Sequence, residues 1–277
     1  MARPDDPHFT RLWALVSGAL RPRAPLWRIV LAYGIGALCH AVFAAAVLAM
    51  IAALFFGMSE SLGRVPEPWR WWANAALLVQ FPLMHSVLLS GPGGRVLARL
   101  APAGTGRVLS TTTYAIIASA QLLALFALWT PSGVVWWRAD GAAFWVLAGA
   151  NAAAWLFLVK ASWDAGAEVQ SGALGWMSLA ADRAPVFPAM PTGGTFRLIR
   201  QPIYLAFALT LWTVPVWTPD QLTVAAVLTA YCLAAPVLKE RRFSARYGAA
   251  FADYRRRTPY MVPRLIKERH DARSRPQ

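Results

Sequence analysis

"LWRIVLAYGIGALCHAVFAAAVLAMIAALFF", Leu26 to Phe56, contains one charged residue, Arg28, near its start. About 20 apolar residues suffice to cross the hydrocarbon core of a bilayer, and a signal-peptide core is only about 7–15. The run is roughly twice a signal core, so its length predicts a retained membrane helix. The rest of the chain agrees: 57% of its 277 residues are hydrophobic, 14% are charged, and 14 are Trp, with a mean hydropathy of +0.43. Soluble domains average about 45–50% apolar and about 25% charged residues. Composition therefore predicts an all-α integral membrane protein.

Further apolar segments lie at about 70–90, 111–130, 142–162, 202–218 and 221–238. With the first, at 29–55, they predict about six transmembrane helices. Turn-forming stretches separate them: Arg64-Val65-Pro66-Glu67-Pro68, Ser90-Gly91-Pro92-Gly93-Gly94, Thr130-Pro131-Ser132-Gly133 and Thr218-Pro219-Asp220. The last connection is so short that spans five and six should form a hairpin. Residues 163–201 are polar and rich in Pro and Gly, but their aromatics argue against disorder. A loop this long is expected to be an ordered segment that covers something.

The net charge of +14 raises the question of nucleic acid, but its location answers it. Twelve Lys/Arg and four acids lie between Lys239 and Gln277, directly after an apolar run. Arg3, Arg11, Arg21, Arg23 and Arg28 precede the first span. Arg95, Arg99 and Arg107 lie in the second loop, and Arg183, Arg197 and Arg200 in the fourth. The odd-numbered loops are poorer, with Arg64 and Arg70 offset by Glu60 and Glu67, and Arg138 by Asp140. Basic flanks of this kind orient spans and contact lipid headgroups. They predict a multi-pass protein of a bacterial inner membrane with both termini cytoplasmic, and membrane lipids, not nucleic acid, as partners. The two cysteines, Cys39 and Cys232, lie in apolar runs, and neither a disulfide framework nor a metal site follows from them.

The polar residues within or beside spans have ordinary structural readings. Asn74 and Gln121 are expected as interhelical hydrogen-bond partners. His40 is expected to pack, and Asp164 and Glu168 to be solvated or to cap. The pairs Trp71-Trp72 and Trp136-Trp137 read as interfacial belts. His85, late in the second span, reads equally as a packed histidine or a substrate-side group. After the last span, Phe243, Tyr247, Phe251 and Tyr254 recur at spacings of four, four and three, one stripe of a C-terminal amphipathic helix on the membrane surface.

The C-terminal half resembles the isoprenylcysteine carboxyl methyltransferase and phospholipid methyltransferase family. "TGGTFRLIRQPIYLAF" (Thr192–Phe207) and "KERRFSARYGAAFADYRRRTPYMVP" (Lys239–Pro263) follow that family's pattern in order and spacing. The pattern is an Arg-His-Pro-x-Tyr segment, a helical hairpin, a Glu-Glu pair, and a Gly-x-x-Tyr/Phe-x-x-Tyr run before Pro-x-x-x-Pro. "FPLMHSVLLSGPGGRVLARLAP" (Phe81–Pro102) and "WTPSGVVWW" (Trp129–Trp137) are similar to its bacterial branch of methanethiol S-methyltransferases and NnrU-like proteins.

The resemblance implies a methyltransferase using S-adenosyl-L-methionine on a hydrophobic or small-molecule acceptor: a thiol, a carboxylate or a lipid amine. A non-catalytic NnrU-like accessory protein is the alternative. By the resemblance, Phe196 and Gln201, Pro202, Ile203 and Tyr204 would line the cofactor pocket. Ala189, Met190 and Pro191 would approach the adenosine, and Glu240 would bond the cofactor's polar end. Arg200 would sit at the pocket mouth. No residue is assigned to catalysis, with Arg200 and His85 as candidates, and no metal is implied. The corresponding division is a basic segment 1–28, four spans in 29–162, a cytoplasmic loop 163–201, a hairpin and cofactor segment 202–264, and a basic tail 265–277. Two positions depart from the pattern: Gln201 stands where the family has His, and Lys239 where it has the first Glu. Lys239 is expected to face lipid headgroups with Arg241 and Arg242.

Overall fold

The computed structural model describes residues 7–102 and 104–263, so the tail 265–277 and Arg3 lie outside the described residues. Helix α1 (Pro7–Leu20) precedes the long apolar α2 (Leu26–Phe55), α3 (Trp69–Leu88), α4 (Gly91–Leu100) and α5 (Gly106–Leu128). Then come α6 (Gly141–Asp164), the short α7 (Ala167–Gln170) and α8 (Ala173–Ala180), α9 (Pro202–Trp212) and α10 (Pro219–Arg257). Two very short strands, β1 (Trp137–Arg138) and β2 (Val216–Trp217), pair antiparallel. The fold is all-α and of membrane type. Trp145, Val146, Leu156 and Val159 project outward from α6 with most of their surface exposed, as lipid-facing side chains do.

The expected count of six full-length spans is not met. Among the described residues, α2, α5, α6 and α10 are long and apolar enough to cross a bilayer. Helices α3 and α4, bent by 95°, make a fifth if taken as one broken span. The segment read as span five holds only the 11 residues of α9. That is about 16 Å, roughly half of a hydrocarbon core. Pro215 ends the possibility of a longer helix, and the chain continues non-helically into β2. A helix that stops within apolar surroundings must have its last carbonyls satisfied. Gln221 Nε2 donates to the Leu211 carbonyl at 2.7 Å and Asn151 Nδ2 to that of Thr210 at 3.4 Å.

The bundle has two ends of different character. The loops between α2 and α3, α5 and α6, and α9 and α10 meet at one, here called the capped end. There the buried Asp220 carboxylate accepts from Trp129 Nε1 at 3.0 Å, from Ser132 N at 2.9 Å and from the Ser132 hydroxyl. Asn74 donates to the Thr130 carbonyl at 2.8 Å and accepts from Thr130 N at 3.0 Å. Thr218 caps α10 through Gln221 N at 2.9 Å and donates to the Gly57 carbonyl. Beneath these lies an apolar cluster that includes Leu54, Met58, Phe126, Leu211 and Leu228.

At the other end, the charged end, α8 packs on α2 and α5. Thr112 Oγ1 donates to the Gly172 carbonyl at 2.6 Å and accepts from Trp176 N at 3.0 Å. Trp176 Nε1 donates to His40 Nε2 at 3.1 Å, so His40 packs as expected. Gln80 and Gln121 exchange side-chain bonds with each other's carbonyls at 2.9 and 3.2 Å, the interhelical role expected for Gln121. Glu168 corrects its expectation: it is not solvated but 2% exposed, and it accepts from Arg11 Nη2 at 2.8 Å. Its partner lies on α1, far away in sequence, and a buried carboxylate requires one.

Candidate active site

The site lies at the charged end, where the start of α9, the middle of α10 and the segment after α10 converge. Pro202 fills the first helical position of α9, where its missing N–H costs no bond. Gln201 precedes it in a non-helical conformation, φ −125° and ψ 51°, as a residue before proline tends to. Its side chain does not cap α9 but turns inward and is 1% exposed.

Upstream, Gly194 has φ +55°, and a Cβ there would lie 2.3 Å from Asp164 Oδ2. Glycine therefore admits the carboxylate, which accepts from Thr195 N at 2.8 Å and Thr195 Oγ1 at 2.9 Å and caps the 3-10 turn Gly194–Arg197. That turn buries Phe196.

Downstream, the expected single amphipathic stripe is broken. Gly248, at φ +49° and ψ −120°, interrupts the helix within α10. In a straight helix Phe243 and Phe251 would be about 12 Å apart along the axis, but their ring centroids lie 5.9 Å apart. The break folds the end of α10 back, so Phe251 and Tyr254 are buried against the site and not spread on a surface. Tyr254 Oη locks the fold-back by donating to the Phe196 carbonyl at 2.7 Å. The chain after α10 then crosses the start of α9: Arg200 N donates to the Pro259 carbonyl at 2.9 Å and Gln201 N to that of Tyr260 at 3.1 Å. Burial pushes the Tyr260 phenol up, Glu240 adds to the effect and Arg200 opposes it. The phenol thus keeps its proton and bonds the Leu233 carbonyl at 3.1 Å.

Four polar side chains form one connected chain inside this frame. Arg200 Nε donates to Glu240 Oε1 at 2.9 Å, and Gln201 Nε2 donates to the same oxygen at 2.8 Å. Lys239 Nζ donates to Gln201 Oε1 at 3.0 Å. Arg200 also donates to the Thr258 and Arg255 carbonyls, at 2.5 and 3.2 Å. Lys239 corrects its expectation: it points inward, not to headgroups. Its ammonium lies 5.4 Å from the ring centres of Phe196 and Phe243 and 5.7 Å from that of Tyr204. Lys239 and Phe243 share a helix face by their spacing of four, which brings cation and ring together.

Pro191, Phe196, Arg200, Gln201, Lys239, Glu240, Phe243, Phe251 and Tyr254 line a cavity of about 10 Å³. The sequence reading placed Pro191, Phe196, Arg200, Gln201 and Glu240 here, and Tyr204 reaches it through Lys239. Ala189 is exposed and Met190 half-buried in the preceding segment; these two and Ile203 do not line the space. Lys239, Phe243, Phe251 and Tyr254 were not read as site residues. A glycine in the middle of an aromatic stripe was the available signal for the last two. His85 lies outside this space, on α3, 2.7 Å through Nδ1 from the Tyr114 hydroxyl.

Among known proteins, the chain is 32% identical over 221 residues to methanethiol S-methyltransferase 2 of Bradyrhizobium diazoefficiens, covering 74% of this chain and 78% of the relative. It is 26% identical to a methanethiol S-methyltransferase of Crocosphaera subtropica, over 70% of this chain and 75% of that one. A third relative of that name, from Mycobacterium tuberculosis, is 28% identical over 69% of this chain and 77% of its own.

The chain belongs to the methanethiol S-methyltransferase family. No family model matches the chain, and no solved structure matches it. Membership decides between the two readings the sequence left open: the chain is a membrane methyltransferase, and a methyltransferase needs a methyl donor.

The site residues suit such a donor chemically. A methyl donor with an α-amino-acid end brings an ammonium, a carboxylate and a cationic sulfur. Glu240 would supply an acceptor for the first, Arg200 and Lys239 would supply cations for the second, and the aromatic walls would suit the third. Ligand pockets usually exceed about 300 Å³, so a side chain that now fills the space has to swing aside. Arg200 and Lys239 are the long, flexible ones.

Proposed function

We propose that the chain transfers the methyl group of S-adenosyl-L-methionine to a small, lipid-soluble thiol at the cytoplasmic face of a bacterial inner membrane. The observation that carries this reading is the connected chain Arg200–Glu240–Gln201–Lys239, walled by Phe196, Phe243, Phe251 and Tyr254, in a protein whose relatives are named for methylating methanethiol. The cytoplasmic assignment rests on the basic residues that gather at the charged end, where the cofactor is also available.

S-adenosylmethionine would supply an activated methyl group. The chain's own residues bind its amino-acid end, set its direction and exclude water. Glu240 holds the ammonium, and Arg200 or Lys239 the carboxylate. Rate comes chiefly from holding the reacting atoms in line in a dry site. The departures at Gln201 and Lys239 preserve this frame, because the two side chains bond each other. An amide oxygen accepting from an ammonium replaces the imidazole and carboxylate of the family pattern.

The test is calorimetry of the purified protein with S-adenosylmethionine, followed by assay with labelled cofactor and a panel of thiols, prenylcysteine analogues and lipid amines. Saturable binding that Glu240→Ala abolishes, with label entering a volatile thioether, supports the reading. Absence of binding at millimolar cofactor would overturn it.

A further inference from the structure

A second polar cluster lies beside the site, among apolar helices, and the cofactor frame does not use it. His85 ends α3 just before the 95° bend into α4. The Tyr114 hydroxyl, on α5, lies 2.7 Å from its Nδ1 and 2.9 Å from its Nε2. Whichever nitrogen carries the proton, the hydroxyl stays within reach. Ser86 and Tyr231, on α3 and α10, approach each other at 3.4 Å between hydroxyl oxygens. The rings of Phe81 and Tyr231 flank the imidazole, with centroids 5.0 and 6.3 Å away.

Three helices thus bring an imidazole and several hydroxyls to one place. None of these side chains is fully buried, and Leu83, Met84 and Val87 beside them face outward. Lipid-facing side chains therefore border the cluster. Tyr204, whose ring faces Lys239 at 5.7 Å, is within electrostatic reach of Tyr114 and Tyr231. Arg242, on α10, is within reach of all four titratable groups, His85, Tyr114, Tyr204 and Tyr231.

From this placement we propose that His85, held by Tyr114, is the base that takes the proton of the acceptor thiol, which enters from the lipid between α3, α5 and α10. The inference rests on the function proposed above and deepens it. Thiolate, not thiol, is the nucleophile, and an alkyl thiol is mostly protonated at neutral pH. A neutral imidazole has one unprotonated nitrogen, which can accept that proton. The thiol proton passes to the imidazole, and the thiolate's electron pair forms the new sulfur–carbon bond. The donor's own methyl–sulfur bond breaks, leaving its pair on the donor sulfur as a thioether. The imidazolium then returns its proton to water. Arg242 is the nearby cation that favours the thiolate, and Tyr114 is a positioning residue.

The experiment compares the full-length wild type with His85→Gln and Tyr114→Phe. It uses two acceptors: a weakly acidic alkanethiol and an aromatic thiol already ionised at the assay pH. Cofactor binding is measured separately by calorimetry. His85→Gln should keep cofactor affinity and lose about 100-fold in kcat/KM for the alkanethiol at neutral pH. Its rate should rise tenfold per pH unit as thiolate forms in solution, and the aromatic thiol should lose less than about threefold. Tyr114→Phe should show the same pattern with a smaller loss, and it carries the test if His85→Gln fails to fold. Equal losses on both thiols with an unchanged pH profile, or loss of cofactor binding in these variants, would overturn the assignment. Absence of cofactor binding in the wild type would instead overturn the parent reading.

Discussion

The two ends of the bundle are both polar, yet they are built for different ends. At the capped end polar side chains are held by short hydrogen bonds within the fold: Asp220 with Trp129 and Ser132, Asn74 with Thr130, Thr218 with Gly57. The groups are mostly neutral and deeply buried, and a tight apolar cluster lies beneath them. At the charged end Arg200, Lys239 and Glu240 are only partly buried and meet around a space. Their partners are side chains and the backbone strap that crosses the start of α9. A group satisfied within the fold stabilises it. Groups that satisfy one another around a space can exchange those bonds for a ligand's.

Four substitutions would break or sharpen this contrast. Glu240→Ala should have the largest effect: a loss of at least about a hundredfold in turnover, with calorimetry showing cofactor affinity lost in parallel. It removes the acceptor of two charge-assisted bonds, each worth about 1.5–3 kcal/mol. Asp220→Ala should do the opposite, lowering stability by about 3 kcal/mol through three lost donors. Thermal unfolding in detergent would reveal it, while turnover per folded molecule stays unchanged.

Gly248→Val should cost about 1–3 kcal/mol, because a β-branched residue is strained at φ +49°. Unlike Asp220→Ala, it should also weaken cofactor binding, since the fold-back of Phe251 and Tyr254 depends on that break. The smallest effect is expected of Gln201→His. A neutral imidazole can donate to Glu240 and accept from Lys239 as the amide does, so cofactor affinity should stay within about threefold. A change above tenfold would show that the amide's geometry, and not only its donor and acceptor, is required.

Much of this was legible in advance. The apolar runs announced α2, α5, α6 and the membrane half of α10, and Arg200, Gln201 and Glu240 stood out as site residues through the motif pattern. The shortness of α9 could have been read from Pro215, which forbids a helix through 202–218. The burial of Glu168 had no local signal, because Arg11 is supplied by a helix at the other end of the chain. Lys239 misled because it sits in a basic run. Arg241, two positions on and so about 200° around the helix, points away while Lys239 points in.

The sequence by itself determined the class of the protein, its helical segments and the family it resembles, because hydrophobicity and motif spacing act along the chain. Only the tertiary structure decided that Lys239 meets Gln201, that Arg200 meets Glu240, and that His85 meets Tyr114. Each pair joins separate elements, and a buried polar group takes whatever partner the packing of those elements brings within hydrogen-bond reach.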